Sequence, residues 1–356
     1  MLSVIPRLVV NHHEPTLNRA IDLKLTCVLA ALAALLVLWS LTLGPAPLPW
    51  RTVLSALFGS GDATDILIVR ELRLPRTLLA IMIGATLALS GAALQGLMRN
   101  PLAAPDVLAA PGAAAFGAVL AIALGFADAL SFALPVAAVA MALASVAALL
   151  ALAGPTAGMV TLLLAGLALS SLFGALVSLT LNLAPSPFAA LEIAFWLLGS
   201  LEDRSFRHVA IAAPFMALSA GLLLAGRGQL TALSLGEDVA RSSGIDVVRL
   251  QWLVLIGVAA GVGASVAVAG VIGFVGLVTP HLVRPLVGND PGRVHVPAML
   301  AGADLLLAAD CATRLIPTWG EIRIGVLTAL IGVPFFLWLV LRRRQAELIS
   351  PAGAPL

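Results

Sequence analysis

The sequence predicts an all-α fold, a polytopic membrane protein of about ten transmembrane helices. Three observations predict it. Hydrophobic residues make up 61% of the 356 residues and charged residues 11%, where a soluble domain carries about 25% charged. Mean hydropathy is +1.08. The apolar residues also recur from end to end in stretches of helix length, near the roughly 20 residues that cross a hydrocarbon core.

The clearest stretches lie near residues 25–43, 77–98, 107–125, 130–153, 159–183, 208–226, 250–272, 295–312 and 324–341. A shorter one at 271–288 carries Pro280, His281, Arg284 and Pro285 and reads as a short or broken span. The first stretch is longer than the 7–15 residues or so of a signal-peptide core and follows a charged segment, so it reads as an uncleaved span. The expected organisation is a tail over 1–24 (with His12 and His13), a transmembrane domain over 25–341, and a second tail over 342–356. Cys27 and Cys311 both fall in apolar stretches, so no disulfide framework follows. Lys24 is the sole lysine and no G-x-x-x-x-G-K-[ST] occurs, which excludes a P-loop ATPase within this chain.

Ten spans put both termini on one side. Taking that side as cytoplasmic leaves 12 Lys and Arg inside, against eight outside: Arg51, Arg70, Arg73, Arg76, Arg204, Arg207, Arg314 and Arg323. This is a modest positive-inside bias, anchored by the Arg342–Arg344 run. The outside cluster Arg70, Arg73, Arg76 opposes it. Either a helix end snorkels there or an acidic partner docks.

In lipid, small residues every four positions mark close helix contacts. Three spans show them: Gly84, Ala88, Ala92, Gly96; then Gly166, Ser170, Gly174, Ser178, Asn182; then Gly257, Gly261, Ser265, Ala269, Gly273. Bundle packing explains such stripes. The second, with its hydroxyls and with Ser171 and Thr180 nearby, also suits the wall of a wet path for a bulky solute. Tyrosine is absent and aromatic residues total 5%, which fits a conduit with little to hold a solute. Residues 227–249 form the sizeable polar insertion on the inside face. Within it Glu237 and Asp238 open a short helix, Arg241 follows as the helix dipole favours, and Gly244 ends it. It is either a solvated loop or a helix that a soluble motor grips.

Four segments carry a resemblance: RLPRTLLAIMIGATLALSGAALQGLMRNPLAAPDVL (Arg73–Leu108), FWLLGSLEDRSF (Phe195–Phe206), LGEDVARSSGID (Leu235–Asp246), and GVIGFVGLVTPHLVRPLVGNDPGR (Gly270–Arg293), continued by AADCATRL and GEIRIGVLTALIGVPFFLWLVLRRR to Arg344. Over nearly the whole chain after about residue 25, the sequence resembles the permease subunits of type II ABC importers, which take up ferric siderophores, haem and vitamin B12. The resemblance implies a multi-pass protein of the cytoplasmic membrane, paired with a second permease, most simply as a homodimer in membrane lipid. It implies two separate ATP-binding subunits that use ATP and Mg, so this chain is not an enzyme and binds no cofactor. It also implies an extracytoplasmic substrate-binding protein, and no nucleic acid. Carried over by residue, Arg73, Arg76 and Arg314 look outward toward acidic groups of the binding protein. Leu235, Gly236, Glu237, Asp238, Ala240, Arg241 and Gly244 belong to the helix that sits in the ATPase. Gly166, Ser170, Gly174, Ser178 and Asn182 line the path, with a gate at Met159, Val160 and Thr161. The Asn100–Asp106 segment, NPLAAPD, is closest to siderophore members of the family.

Two departures stand out. Ala109, Ala110, Pro111, Gly112, Ala113 replaces a G-V-S-x-G-A pattern, and Pro111 is expected to bend or restart the third span. Asp290, Pro291, Gly292, Arg293 makes a tighter loop than the family's D-H-R and lacks its histidine. Asp310 stands four residues before Arg314, a helical pairing distance. Asp304 is deeper; a membrane-buried acid is either functional or hydrogen-bonded to a neighbouring helix. His281 has no second ligand at metal spacing and Arg284 lies one turn on, so no metal site is expected. The rival classes are a secondary transporter coupled to an ion through Asp304 and an intramembrane enzyme, whose catalytic clusters are missing from the spans.

Overall fold

The computed structural model describes residues 15–126, 133–154, 158–316 and 322–349. These residues are helical with short connections. The helices are α1 (Pro15–Thr42), α2 (Trp50–Leu57), α3 (Ala63–Leu67), α4 (Leu74–Leu97), α5 (Ala110–Ala123), α6 (Ala133–Ala153), α7 (Met159–Asn182), α8 (Pro187–Leu197), α9 (Phe206–Ser234), α10 (Glu237–Ser242), α11 (Val247–Ala269), α12 (Val275–Val283), α13 (Pro291–Leu315) and α14 (Ile324–Ile349). A π-helical segment, Ile68–Arg73, joins α3 to α4, and 3₁₀ turns sit at Pro105–Leu108 and Arg284–Val287. The π segment precedes Pro75, whose ring cannot sit over the carbonyl four residues back in a regular α-turn; the wider turn accommodates it.

Seven helices among the described residues are long and apolar enough to cross a bilayer: 22–42, 63–97, 133–153, 160–182, 206–234, 247–269 and 291–315. With α14 and the shorter α5 and α12 they account for the ten expected stretches. Boundaries moved in three places. α1 starts at Pro15, within the expected tail. α9 runs on to Ser234, so the first eight residues of the expected polar loop are helical. The short α8 corresponds to none of the expected spans, because an 11-residue apolar helix is too short to read as one. Pro111 restarts the chain as anticipated. Ala109 adopts a left-handed conformation (φ 61°), and α5 begins with Pro111 in its first turn, where a missing N–H costs nothing.

The core sits where α4 packs on α13, α11 and α12. A Cβ on Gly84 would collide with the carbonyl of Gly302, and one on Gly302 with that of Gly84. Only glycine at both positions lets these backbones touch, the close approach that drives helix association in lipid. The third stripe works likewise against α9: Gly257 faces Leu223 and Gly261 faces Ser219. Both stripes are packing faces.

Candidate docking, coupling and translocation surfaces

The bundle has two polar ends. At one, Leu43–Ala46, the π segment, Glu202–Arg204 and Arg314 surround a cavity of about 370 Å³. Here Asp310, fully buried, accepts from Arg76 Nε at 2.8 Å and pairs with Arg314 one helical turn along. Arg314 also donates to the Ser40 carbonyl at 2.9 Å, and Ser40 Oγ lies 2.8 Å from Thr77 Oγ1. One carboxylate thus ties α13, α4 and α1 together while opposing two guanidiniums. Arg73 is 6% exposed and donates to the carbonyls of Leu41, Thr42 and Ala46. It pins the turn after α1. Arg70 does the same for α2 through the Leu57 carbonyl at 2.6 Å. Of the expected docking arginines, Arg73, Arg76 and Arg314 meet at one cavity, and Arg73 faces backbone carbonyls inside it.

At the other end, α10 projects between α9 and α11. Its N-cap, Gly236, has φ 121°, and Leu235 before it is exposed. Ala240 is buried against the bundle, while Glu237 and Arg241 pair at 2.7 Å on the solvent side. That carboxylate raises the Arg241 pKa. Gly244 at φ 81° closes the helix, with Ile245 N–H donating back to the Ala240 carbonyl at 3.0 Å, the six-to-one bond of a glycine-capped helix end. Asp246 then caps α11 by accepting from Arg249 N at 3.0 Å. Of the seven expected coupling residues, Glu237, Asp238, Ala240 and Arg241 lie on this helix, and Leu235, Gly236 and Gly244 flank it. Beside it, Thr231 donates to Asp290 at 2.6 Å, and Asp290 caps α13 through Gly292 N. Arg293 pairs with Asp22 of α1 at 2.6 Å. The tighter Asp290–Arg293 loop therefore anchors helices to one another.

Between the ends stands α7. The expected path-lining stripe divides along it. Gly166 packs on the carbonyl of Val107, where a Cβ would collide, and Ser170 Oγ donates to the Asp106 carbonyl at 3.0 Å. These two residues dock α7 on the 3₁₀ turn rather than facing open space. Gly174 has nothing within 4 Å of an added Cβ, and Ser178 and Asn182 are exposed with their polar atoms on their own helix. Val160 and Thr161 are exposed at the helix start; the Met159 side chain lies outside the described residues.

A protein-family model for the FecCD transport family matches residues 32–342. This chain belongs to the FecCD transport family. Among its relatives, the Fe(3+) dicitrate transport system permease protein FecD of Escherichia coli (strain K12) is 37% identical over 337 residues, covering 91% of this chain and 99% of that protein. The cobalamin import system permease protein BtuC of Halobacterium salinarum is 39% identical over 312 residues, covering 84% and 81%. A solved metal-chelate type ABC transporter in an inward-facing conformation superposes with a TM-score of 0.79 at 33% identity, covering 90% of this chain and 99% of that one. The type II importer permease class that the resemblance implied is thereby shown, and with it a multi-pass membrane protein.

Within a FecCD permease, sequence reasoning missed two features. Arg204 lines the same cavity as the expected docking arginines; it is visible in the sequence only as one more arginine of a loop. The other is the joint where Gly325 of α14 lies against the carbonyls of Leu198 and Val271, and Gly332 against the ring of Phe274 (φ 67°). Its signal was the glycine spacing at 270, 273, 325 and 332. His281 packs edge-on against Phe335, ring centroids 5.8 Å apart, a structural contact.

Proposed function

We propose that this chain is the membrane-spanning permease subunit of an ATP-driven importer that carries an iron chelate, a ferric siderophore, across the cytoplasmic membrane. Two copies form the conduit, with both termini cytoplasmic. Two separate subunits hydrolyse MgATP beneath α10, and this chain itself binds no cofactor. A loaded extracytoplasmic binding protein docks at the end bearing Arg76 and Arg314, with Arg73 holding that wall in place. Closure of the ATPases moves α10. The exposed face of α7 (Gly174, Ser178, Asn182) then switches between outward-open and inward-open states, with Met159–Thr161 as the gate. The free energy comes from the ATPases, and this chain supplies an element with two arrangements.

The observation that carries the substrate reading is the seat of the Asp106 turn. NPLAAPD ends in a 3₁₀ turn on which α7 is docked through Gly166 and Ser170. The segment closest to siderophore members thus touches the helix assigned to the path. Vitamin B12 and haem remain the other arms of the test, since a relative named for cobalamin import is as similar as one named for ferric citrate. Uptake of radioiron, offered as several siderophores and as haem, beside labelled vitamin B12, would be followed in cells expressing this chain with its ATPase and binding protein. Uptake of one siderophore that vanishes with an ATPase-dead partner is expected. Uptake that survives the dead ATPase would replace this mechanism with ion-coupled transport.

A further inference from the structure

Two cavities of about 360 Å³ each lie along the seam between α9 and α13. One is polar and sits at the α10 end of the bundle, where Asp22 and Thr26 of α1 complete its wall. The other is apolar, with Met216 of α9, Met299 of α13 and Met82 of α4 around it. The two share helix faces. On α9, Ala213, Ala217 and Ala220 line the apolar cavity, and Arg227 and Thr231 the polar one. Successive members stand four, three, seven and four residues apart, intervals that keep them on one side of a helix. On α13, Gly292 and Val296 of the polar cavity share a face in the same way with Met299 of the apolar one. The cavities are thus two halves of one groove, polar at the bundle end and apolar deeper. The ten residues from Ala217 to Arg227 cover about 15 Å of helix.

The charges of the polar half are unequally used. Asp22 holds Arg293 at 2.6 Å. Asp290 accepts from Thr231 at 2.6 Å and from Gly292 N at 2.9 Å. Both acids are therefore engaged. Arg227 is exposed and makes no hydrogen bond or ion pair among the described residues.

We infer that this groove holds an anionic phospholipid, its phosphate on Arg227 and one acyl chain in the methionine-lined half. A small anion would use the arginine and leave the apolar half empty. A lipid fills both, and about 15 Å is half of a hydrocarbon core. An anionic headgroup fits better than a zwitterionic one, because neither acid of the cavity is free to receive an ammonium. Arginines near the cytoplasmic surface attract such lipids. The choice of leaflet rests on the proposed orientation, with α10 cytoplasmic; the binding itself does not.

The test counts lipid retained by the complete importer, by native mass spectrometry, during titration with phosphatidylglycerol or phosphatidylcholine of the same acyl chains. Phosphatidylglycerol is expected to bind about 5-fold tighter, the worth of one arginine near a headgroup, and the preference should shrink at high salt. Arg227→Gln is expected to abolish the preference and Arg227→Lys to keep most of it. Ala217→Phe fills the apolar half and is expected to weaken both lipids alike; Ala220→Leu does the same should the first variant fail to fold. Equal binding of the two lipids by the parent, or a preference that survives Arg227→Gln, would overturn the inference. Displacement of the lipid by glycerol phosphate, with both filling variants silent, would reduce the groove to a small-anion site. Labelling of Ser242→Cys from outside intact cells would overturn the orientation and move the groove to the other leaflet, leaving the binding result in place.

Discussion

Helices α13 and α7 are of similar length and both carry polar residues in an apolar frame, yet they sit in the molecule in opposite ways. α13 is gripped along its length. Gly302 touches Gly84 of α4, Arg293 reaches Asp22 of α1 at one end, and Asp310 gathers Arg76 and Arg314 at the other. Asp290, Arg293 and Asp310 bond to other helices, while His295 and Thr313 bond back to α13 itself. α7 is docked on the 3₁₀ turn through Gly166 and Ser170 and on α5 through Phe173 against Phe116, while Leu164 and Leu167 are each 63% exposed. Its hydroxyls at Ser171, Ser178 and Thr180 bond back to its own carbonyls. Interhelical bonds resist relative movement, whereas bonds within a helix travel with it. The comparison therefore separates a strut that joins the two polar ends from a wall whose half beyond Ser170 carries no polar bond to another element among those described.

The most direct way to break the strut is Asp310→Ala. It leaves Arg76 and Arg314 buried beside each other without their carboxylate, and removing one partner of such a group costs roughly 3–5 kcal/mol. Thermal unfolding of the purified permease should show that loss, and docking should fall with it. An unchanged melt would mean that the ion triad does not hold α13. Next is Gly302→Ala. The new methyl meets Ala88 and the Gly84 carbonyl, and overpacking of this kind costs about 1–3 kcal/mol. The same measurement checks it, with Gly174→Ala on α7 as the control, since nothing lies within 4 Å of a Cβ there.

Much of this contrast was legible in the sequence, unevenly. The stripe Gly84–Gly96 announced a packing face because close approach in lipid demands small side chains, and Pro111 announced a restart because proline lacks the donor that a helix interior needs. Gly244 announced the end of α10. At the first two positions of the second stripe the structure shows a packing contact that spacing alone does not reveal. Spacing fixes which residues share a face, and the partner of that face, the Val107 carbonyl, is a backbone atom that leaves no mark in the sequence. Arg73 escaped for the same reason: its acceptors at Leu41, Thr42 and Ala46 are carbonyls that any residue would supply. Helix α8 was missed because hydropathy reads length before it reads position.

If α7 is the movable wall, substitutions on its exposed half should spare stability and strike transport. Ser178→Val removes a hydroxyl that bonds only to Gly174 of the same helix. A surface change of this kind shifts stability by no more than about 0.5 kcal/mol, so the melt should hold while the rate of ATP-driven siderophore uptake falls. Uptake and melt falling together would place α7 with the strut.

The smallest effect is expected at Asp304, and it sharpens the comparison most. Asp304 lies on the strut, 5% exposed, and neither carboxylate oxygen has a hydrogen-bond partner among the described residues. A coupling site for an ion needs ligands or water around the acid; Asp304 is enclosed within the strut. Asp304→Asn keeps the shape and removes the titration. Uptake should then stay within about twofold of the parent, the change that roughly 0.5 kcal/mol produces, and remain dependent on the ATPase. A collapse of uptake with assembly intact would show that α13 takes part in the transport step. The division between strut and wall would fall with it, and ion coupling would become the leading mechanism.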